Sequence, residues 1–244
     1  MDLSDPTRAV TPTLDGPVLA VLAATGRPLT VGEIAARAAR GSEIGIRRSL
    51  ARLVEQGIVR ATLAGRNRVH ELNRDHIAAG VAELLGGLRL ELWRRFRAEL
   101  AGWDPAPLYA VVFGSAARGD GDESSDIDLL LVHAPLPGER RLRKRAKDTA
   151  GVPGQLMDAI TTSGAVAAGA GADPEQWHTQ VDRLRGLVQR WTGNSLQVVD
   201  LSFYEWWEPN ESRRRFLAEV QRDGIEVARS EKLPPTMVSE VGVG

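Results

Sequence analysis

FGSAARGDGDESSDIDLLLV, residues 113–132, contains the features that decide the fold and function of this chain. Two aspartates, Asp126 and Asp128, stand one residue apart at the head of an apolar run. Because side chains alternate along a strand that rises ~3.3 Å per residue, both carboxylates lie on one face, about 7 Å apart. Carboxylates this close repel each other unless a cation neutralises them, and oxygen ligands on a rigid strand suit Mg²⁺. The stretch therefore predicts a divalent cation bound at a strand end.

A glycine and a serine, Gly114 and Ser115, end the preceding apolar run and are predicted to lie at the same edge of the sheet. Glycine lets the backbone approach a phosphate closely, and the Ser115 hydroxyl and the turn amides can donate to phosphate oxygens. Arg118 adds a positive charge nearby. A pair of aspartates at a strand start is also compatible with a solvated turn, so the prediction depends on all these features occurring within 20 residues.

This combination resembles the signature of the DNA-polymerase-β-like nucleotidyltransferase superfamily, in particular its minimal nucleotidyltransferases. The family carries G-S-x-A-R-G, a short acidic loop and then S-D-x-D-L. Here the pattern stands as Gly114–Gly119, followed by Ser125–Leu129. The resemblance covers roughly residues 105–230 and implies an α/β (α+β) domain with a mixed sheet.

The resemblance also implies a two-metal mechanism. Asp126 and Asp128 would bind two Mg²⁺ ions, or Mn²⁺ in their place, and a third acid from a neighbouring strand would complete the metal site. Asp200, in the apolar run of residues 196–202, is predicted to be this third catalytic and metal-binding residue. A strand-end aspartate that faces water is the alternative interpretation of Asp200, and Asp182 is a weaker candidate for the same role.

The family's substrate is a nucleoside triphosphate (NTP), so the resemblance implies ATP or another NTP here. Gly114, Ser115, Arg118 and Ser125 are the predicted nucleotide-binding residues. The nucleoside monophosphate would pass to an acceptor hydroxyl, and pyrophosphate would leave. A protein side chain, an RNA 3′ end and a small molecule such as an aminoglycoside all remain open as acceptor.

The first 74 residues predict a separate, mostly α-helical domain. Helices are predicted over residues 16–24, 29–39 and 43–56, and two strands joined by the turn Ala64–Asn67 follow them. Thr30 is the predicted N-cap of the second helix, since Glu33 follows at the capping-box spacing. Three helices followed by a basic β-hairpin indicate a winged helix-turn-helix.

Local charge favours DNA as the partner of this domain. Residues 40–70 contain seven arginines and two glutamates, whereas the formal net charge of the whole chain is −1. The third helix would enter the major groove, with the wing on the DNA backbone or in the minor groove. Protein docking, or arginines that simply face water, is the alternative interpretation. The predicted DNA-binding residues are Arg47, Arg48, Arg52, Arg66 and Arg68.

Residues 75–104 predict a linker helix that is broken or bent at Gly86-Gly87, with a domain junction near residue 88. Its apolar face predicts either a homodimer contact or a cover for the core of the second domain. Residues 105–230 then form the predicted nucleotidyltransferase domain, and residues 231–244 form a C-terminal tail. Within residues 105–230 the sequence predicts a basic run at 140–147, a low-complexity segment at 163–172, a helix at 175–191, a strand at 196–202, an aromatic packing cluster at 203–207 and a final helix at 211–228.

Composition excludes several classes of site. The chain has no cysteine and only four scattered histidines, so disulfides, thiolate metal sites and a histidine-rich zinc site are not expected. The N-terminus is polar, no long apolar run is present, and a cytoplasmic protein without a membrane partner is expected.

Taken together, the sequence predicts a Mg²⁺-dependent nucleotidyltransferase with a DNA-binding head that regulates transcription. The alternative is a non-catalytic DNA-binding regulator whose nucleotidyltransferase-like domain senses nucleotide.

Overall fold

The computed structural model of the protein describes residues 1–136, 174–207, 211–231 and 233. The chain divides into two compact units. The first comprises Met1–Leu92 with Asp122–Ser124, and the second comprises Trp93–Gly121 with Ser125–Gly244. No helix within the described ranges is long and apolar enough to cross a membrane. The basic run at 140–147 and the low-complexity segment at 163–172 lie outside the described residues.

The first unit combines a 3₁₀ helix, three α-helices and the first part of a fourth with a small antiparallel sheet of order β1-β3-β2. All three predicted helices and the predicted hairpin are confirmed, and Ala64 pairs with Asn67 across the two-residue turn Gly65-Arg66. The short strand β1 was not predicted. The elements are a 3₁₀ helix Pro6–Ala9, α1 Asp15–Ala23, β1 Leu29–Thr30, α2 Val31–Arg37, α3 Glu43–Glu55, β2 Val59–Ala64 and β3 Asn67–Leu72.

Local sequence explains where these helices begin and which face they bury. The Thr30 side chain accepts a hydrogen bond from the Glu33 amide, and the Glu33 carboxylate accepts one from the Thr30 amide, so the predicted capping box is confirmed. Helix α3 begins at a Ser42 cap and buries Ile46 and Leu50 in the core of the first unit. The opposite face of α3 leaves its arginines exposed.

Helix α4, Ala79–Ala101, runs without interruption through Gly86 and Gly87. The predicted break is therefore wrong. A Cβ atom on Gly86 would lie 3.2 Å from the Ala20 carbonyl oxygen, so this glycine allows α1 to pack closely against α4. The boundary between the two units falls inside α4, after Leu92.

The second unit is built on a four-stranded mixed sheet of order β6-β5-β4-β7. Strands β5 and β6 are parallel, whereas β4 pairs antiparallel with β5 and with β7. The predicted mixed sheet is confirmed. The elements are β4 Tyr109–Phe113, α5 Gly114–Arg118, β5 Ile127–His133, α6 Pro174–Thr192, β6 Leu196–Ser202, α7 Phe203–Trp207, α8 Glu211–Asp223 and β7 Ile225–Arg229.

The last predicted helix is too long, because α8 ends at Asp223 and edge strand β7 follows. Gly224 makes this abrupt turn possible. A Cβ atom there would lie 2.2 Å from the Val220 carbonyl oxygen and 2.5 Å from Cγ1 of Val111. Only glycine therefore fits between the end of α8 and the sheet.

The two faces of this sheet are covered by different helices. Leu130 and Val132 of β5 belong to a core cluster that includes Phe203 and Trp206 of α7 and Leu217 of α8. The predicted packing role of the aromatic cluster is thus confirmed for Phe203 and Trp206. Side chains alternate along β5, so Leu129, Leu131 and His133 occupy the opposite face, where the Trp177 ring of α6 lies 5.1 Å from the His133 ring.

Candidate nucleotide and cation site

Asp126 and Asp128 lie at the start of β5, as the sequence predicts. Asp128 is half-buried and pairs with Phe113 of β4, whereas Asp126 is exposed just before the strand. Burial raises the pKa of Asp128, and the negative charge of Asp126 raises it further. A carboxylate pair in this state is stabilised by an added positive charge, so the donor set fits a divalent cation.

Gly114 brings the backbone of the β4–α5 turn directly against Asp128. Its φ angle is +69°, in the left-handed region, and a Cβ atom there would lie 2.5 Å from Asp128 Oδ2. The glycine is thus required twice, by its backbone conformation and by its contact with the carboxylate. Sequence reasoning assigned this glycine to the approach of a phosphate, and the structure adds the approach of Asp128.

Ser115 and Ser125, two of the predicted nucleotide-binding residues, lie close to each other. A Cβ atom on buried Gly121 would lie 3.0 Å from Ser115 Oγ and 3.3 Å from Ser125 Cβ. The glycine thus lets the loop fold onto both serines. The structure therefore brings together Gly114, Ser115, Ser125 and Asp128 around one turn.

Arg118, at the end of α5, is exposed and forms a 3.0 Å ion pair with Asp120. Its positive charge also lowers the pKa of Asp128, in opposition to burial and Asp126. The guanidinium is thus close enough to act electrostatically on Asp128. This supports its predicted place at the site.

Asn194, which sequence reasoning missed, fixes the loop that leads into β5. The side chain is buried and its Nδ2 donates to the Ser125 carbonyl oxygen over 2.9 Å. The neighbouring residue, Ser195, accepts a second hydrogen bond, because its carbonyl oxygen lies 2.9 Å from the Ile127 amide nitrogen. In the sequence Asn194 is only an asparagine in the turn between a helix and a strand, and this position does not identify the group to which its side chain donates. Asn194 and the Ser195 carbonyl thus hold the backbone on the two sides of Asp126.

The structure does not bring Asp200 to the other two aspartates. In the parallel pairing of β5 with β6, Asp200 lies opposite Leu131, on the other face of the sheet from Asp128. There the Trp177 indole donates to Asp200 Oδ2 over 2.8 Å. The weaker candidate, Asp182, lies on α6 and pairs with Arg185 over 2.7 Å. The predicted grouping of three carboxylates is therefore wrong for Asp200. Asp200 lies three residues beyond Gln197, the partner of Asp128, and an odd number of residues along a strand places a side chain on the opposite face.

Gln197 occupies the position that faces the aspartate pair from β6. It lies opposite Asp128 in the strand register, and its Nε2 donates to Asp126 Oδ2 over 3.3 Å. The described residues thus offer two carboxylates and one amide at this edge. Over the same ranges, the structure holds no group of three histidine or acidic side chains able to bind a metal.

The predicted DNA-binding arginines differ in their surroundings. Arg52 pairs with Asp15 of α1, and Arg47 forms a 2.9 Å ion pair with Glu43 one helical turn away. The other three are exposed and have no ion pair among the residues that the structure describes. These three are Arg48, Arg66 and Arg68.

Arginines of α3 and of the hairpin act on one buried histidine. Burial lowers the pKa of His70, and the charges of Arg68 and Arg47 lower it further. Arg68 lies on β3 and Arg47 on α3, so both charges act on the same region of the first unit. We call the exposed arginines of α3 and of the hairpin the basic surface.

Comparison with known proteins adds one finding for the second unit. Residues 93–168, less than one third of the chain, match the family model described as a nucleotidyltransferase domain. The match begins where the second unit begins, includes Gly114, Ser115, Asp126 and Asp128, and ends before Gln197. The comparison with curated proteins gave no match, and neither did the comparison with solved structures. The match supports the nucleotidyltransferase superfamily for this part of the chain.

Proposed function

We propose that the second unit transfers a nucleoside monophosphate from an NTP to an acceptor hydroxyl. The observation that carries this proposal is the contact between the Gly114 turn and the Asp128 carboxylate, with Ser115 beside it. The acceptor oxygen forms a bond to the α-phosphorus while the bond from that phosphorus to the bridging oxygen breaks. Pyrophosphate leaves with the bond electrons, and the hydroxyl proton passes to solvent or to a nearby base.

Asp126 and Asp128 would hold a divalent cation, Mg²⁺ or Mn²⁺. When bound, such an ion supplies positive charge to the triphosphate and relieves the repulsion between the two carboxylates. The Ser115 and Ser125 hydroxyls would donate to phosphate oxygens beside the pair. Arg118 would add its charge to the β- or γ-phosphate when its pair with Asp120 opens.

Asp200 has a structural role in this proposal. Its carboxylate accepts the Trp177 indole hydrogen bond and so ties β6 to α6 on the far face of the sheet. Asp200→Asn is therefore a matched control for the catalytic variants, because it makes the same chemical change on the same sheet. The Asn side chain can still accept the indole hydrogen bond through its carbonyl oxygen.

The experiment incubates the full chain with each α-³²P-labelled NTP, Mg²⁺ and cell extract. Label transfer by the unchanged protein and by Asp200→Asn, with none by Asp126→Asn or Asp128→Asn, supports the proposal. Transfer that persists in both pair variants contradicts it. Transfer lost in Asp200→Asn, with the fold intact, would restore the original prediction of a third catalytic aspartate.

A second candidate function is favoured by Gln197. An amide at this position lacks the negative charge of a third metal ligand, and this fits a domain that binds an NTP and senses it without transfer. Gln197→Asp separates the two candidates. If the domain is an enzyme, the protein with Gln197 already transfers label. If it is a sensor, that protein binds nucleotide without transferring label, and label transfer requires the carboxylate of Gln197→Asp.

We propose further that the first unit is a winged helix-turn-helix that binds DNA and regulates transcription. The basic surface of α3 and the hairpin supports this, with Arg48, Arg66 and Arg68 as the phosphate and base contacts. Arg47 contributes to the same surface beside its pair with Glu43. Arg52 is the least informative residue to change, because its loss also breaks the ion pair with Asp15.

The DNA proposal is tested by binding of the full chain to its own promoter DNA. Arg48→Ala and Arg66→Ala should weaken binding and reduce its salt dependence, because each removes a contact to phosphate. Arg60→Ala is the control, since Arg60 pairs with Asp75 in the same unit and its removal changes the net charge equally. Equal affinity for all three variants would contradict the groove arrangement.

Dimerisation is proposed through the start of α4. Val81 and Leu84 of α4 are 58% and 72% exposed and lie three residues apart on one helix face, and Ile77, in the turn just before the helix, is 98% exposed, so together they leave apolar surface on the first unit. Dimer formation would pair two DNA-binding surfaces, as specific recognition commonly requires. Sedimentation of Leu84→Glu against the unchanged protein tests this, and a monomer in both cases would exclude it.

A further inference from the structure

The first unit contains an open pocket that the proposed functions do not use. It has a volume of about 420 Å³ and is lined by the 3₁₀ helix and the residues before it, by α1, by the end of α2 with Arg37, and by the first half of α4. Cavities of this size hold small organic ligands. None of the three unpaired arginines of the basic surface lines the pocket, so it is a separate feature of this unit.

Arg89 of α4 is an incompletely satisfied cation in this pocket. One terminal nitrogen donates to the Leu3 carbonyl oxygen, but Nε is buried and has no hydrogen-bond partner. Throughout the described ranges, no carboxylate lies within ion-pair distance of Arg89. Burial lowers the pKa of Arg89, with no neighbouring acid to oppose it. A partly desolvated guanidinium of this kind is stabilised by an anion.

The remaining lining determines what kind of anion fits. Pro17, Val21 and Leu85 form an apolar wall, so the body of the ligand is apolar. Asp5 also lines the pocket, but it accepts hydrogen bonds from Arg40 and from the Thr7 hydroxyl, so its charge is already balanced. The charge left uncompensated in the lining is thus positive.

From this arrangement we propose that the first unit binds a small organic anion, with its carboxylate or phosphate group on Arg89 and its apolar body against α1. The site is independent of the nucleotide site, because every residue that lines it belongs to the first unit. The proposed ligand differs from an NTP because it has an apolar body and a single anionic group.

Binding of benzoate and phenyl phosphate to the full chain tests this proposal, with uncharged benzamide as the size-matched control. Titrations followed by amide chemical shifts should show saturable binding of both anions, centred on the amide of Gly86. Benzamide should bind at least tenfold more weakly. Added salt should weaken anion binding, because the contact is electrostatic. The comparison of benzoate with phenyl phosphate shows which anionic group the pocket prefers.

Two variants identify the residues responsible. Arg89→Met keeps an apolar chain of similar length without the charge and should abolish the preference for the anions, whereas Arg60→Gln, outside the pocket, should not. Ala24→Leu fills part of the pocket without removing Arg89 and should weaken both anions even if Arg89→Met does not fold. Equal binding of benzamide and benzoate, the absence of saturable binding, or anion binding unchanged in Ala24→Leu would each overturn the proposal. Asp128→Asn should leave anion binding unaffected, which separates this test from that of the nucleotide site.

Discussion

Gly114→Ala tests the contact on which the candidate site depends. Forcing alanine into the left-handed region costs ~1–2 kcal/mol. The new Cβ atom would also lie 2.5 Å from Asp128 Oδ2, and overpacking of this kind costs a further ~1–3 kcal/mol or displaces the carboxylate. We therefore expect the free energy of unfolding of the second unit to fall by about 2–5 kcal/mol, with loss of Mg²⁺-dependent nucleotide binding.

Tryptophan fluorescence in a urea titration measures this change, because all six tryptophans lie in the second unit. Gly65→Ala, followed by circular dichroism, is the control, since Gly65 has a φ angle of +64° with open space around a Cβ atom and isolates the backbone cost of ~1–2 kcal/mol. In an Asp128→Ala background, the cost of Gly114→Ala should fall to that of the control. A cost that does not depend on residue 128 would refute the proposed contact.

Three further predictions concern the supports of the two units. The pKa of Glu33 is lowered to about 2 from an ordinary value of 4.5, first by the hydrogen bond from the Thr30 amide. The stabilisation is therefore complete above pH 4.5 and is lost as pH falls towards 2, so Glu33→Gln should weaken the first unit at pH 7 but not at pH 2, as followed by circular dichroism. Asn194→Ala leaves a buried carbonyl without its donor and should cost the second unit ~1–3 kcal/mol in urea, with weaker nucleotide binding. Gly224→Ala should destabilise the same unit by ~1–3 kcal/mol or more, whereas Gly186→Ala, in the middle of α6, should stabilise it by up to ~1 kcal/mol.

Local features of the fold could be predicted from the sequence because their causes lie within a few residues. The capping box at Thr30 and Glu33 and the two-residue turn at Gly65 each depend on adjacent side chains or backbone conformation. The Gly114-Ser115 turn and the Asp126–Asp128 pair are likewise contained in one short stretch. Their positions in the structure agree with the predictions for this reason.

The errors arise where a partner element decides the outcome. Gly86 was predicted to break α4, but the close approach of α1 makes it part of a continuous helix. Strand β7 was predicted as helix because only its pairing with β4 distinguishes it. Asp200 and Gln197 lie three residues apart in one strand, so only the register with β5 shows that the glutamine faces the aspartate pair. Because side chains alternate along a strand, Asp200 and Gln197 cannot share a face. The alternation alone does not tell which of the two faces the aspartate pair.

The central claim is that Asp126 and Asp128 hold a cation that brings a triphosphate to the Gly114-Ser115 turn. Calorimetric titration of the full chain with a non-hydrolysable ATP analogue, in the presence and absence of Mg²⁺, tests it most directly. We predict Mg²⁺-dependent binding that is at least tenfold weaker in Asp128→Asn and unchanged in Asp200→Asn. Binding that is independent of Mg²⁺, or equal in all three proteins, would contradict the account.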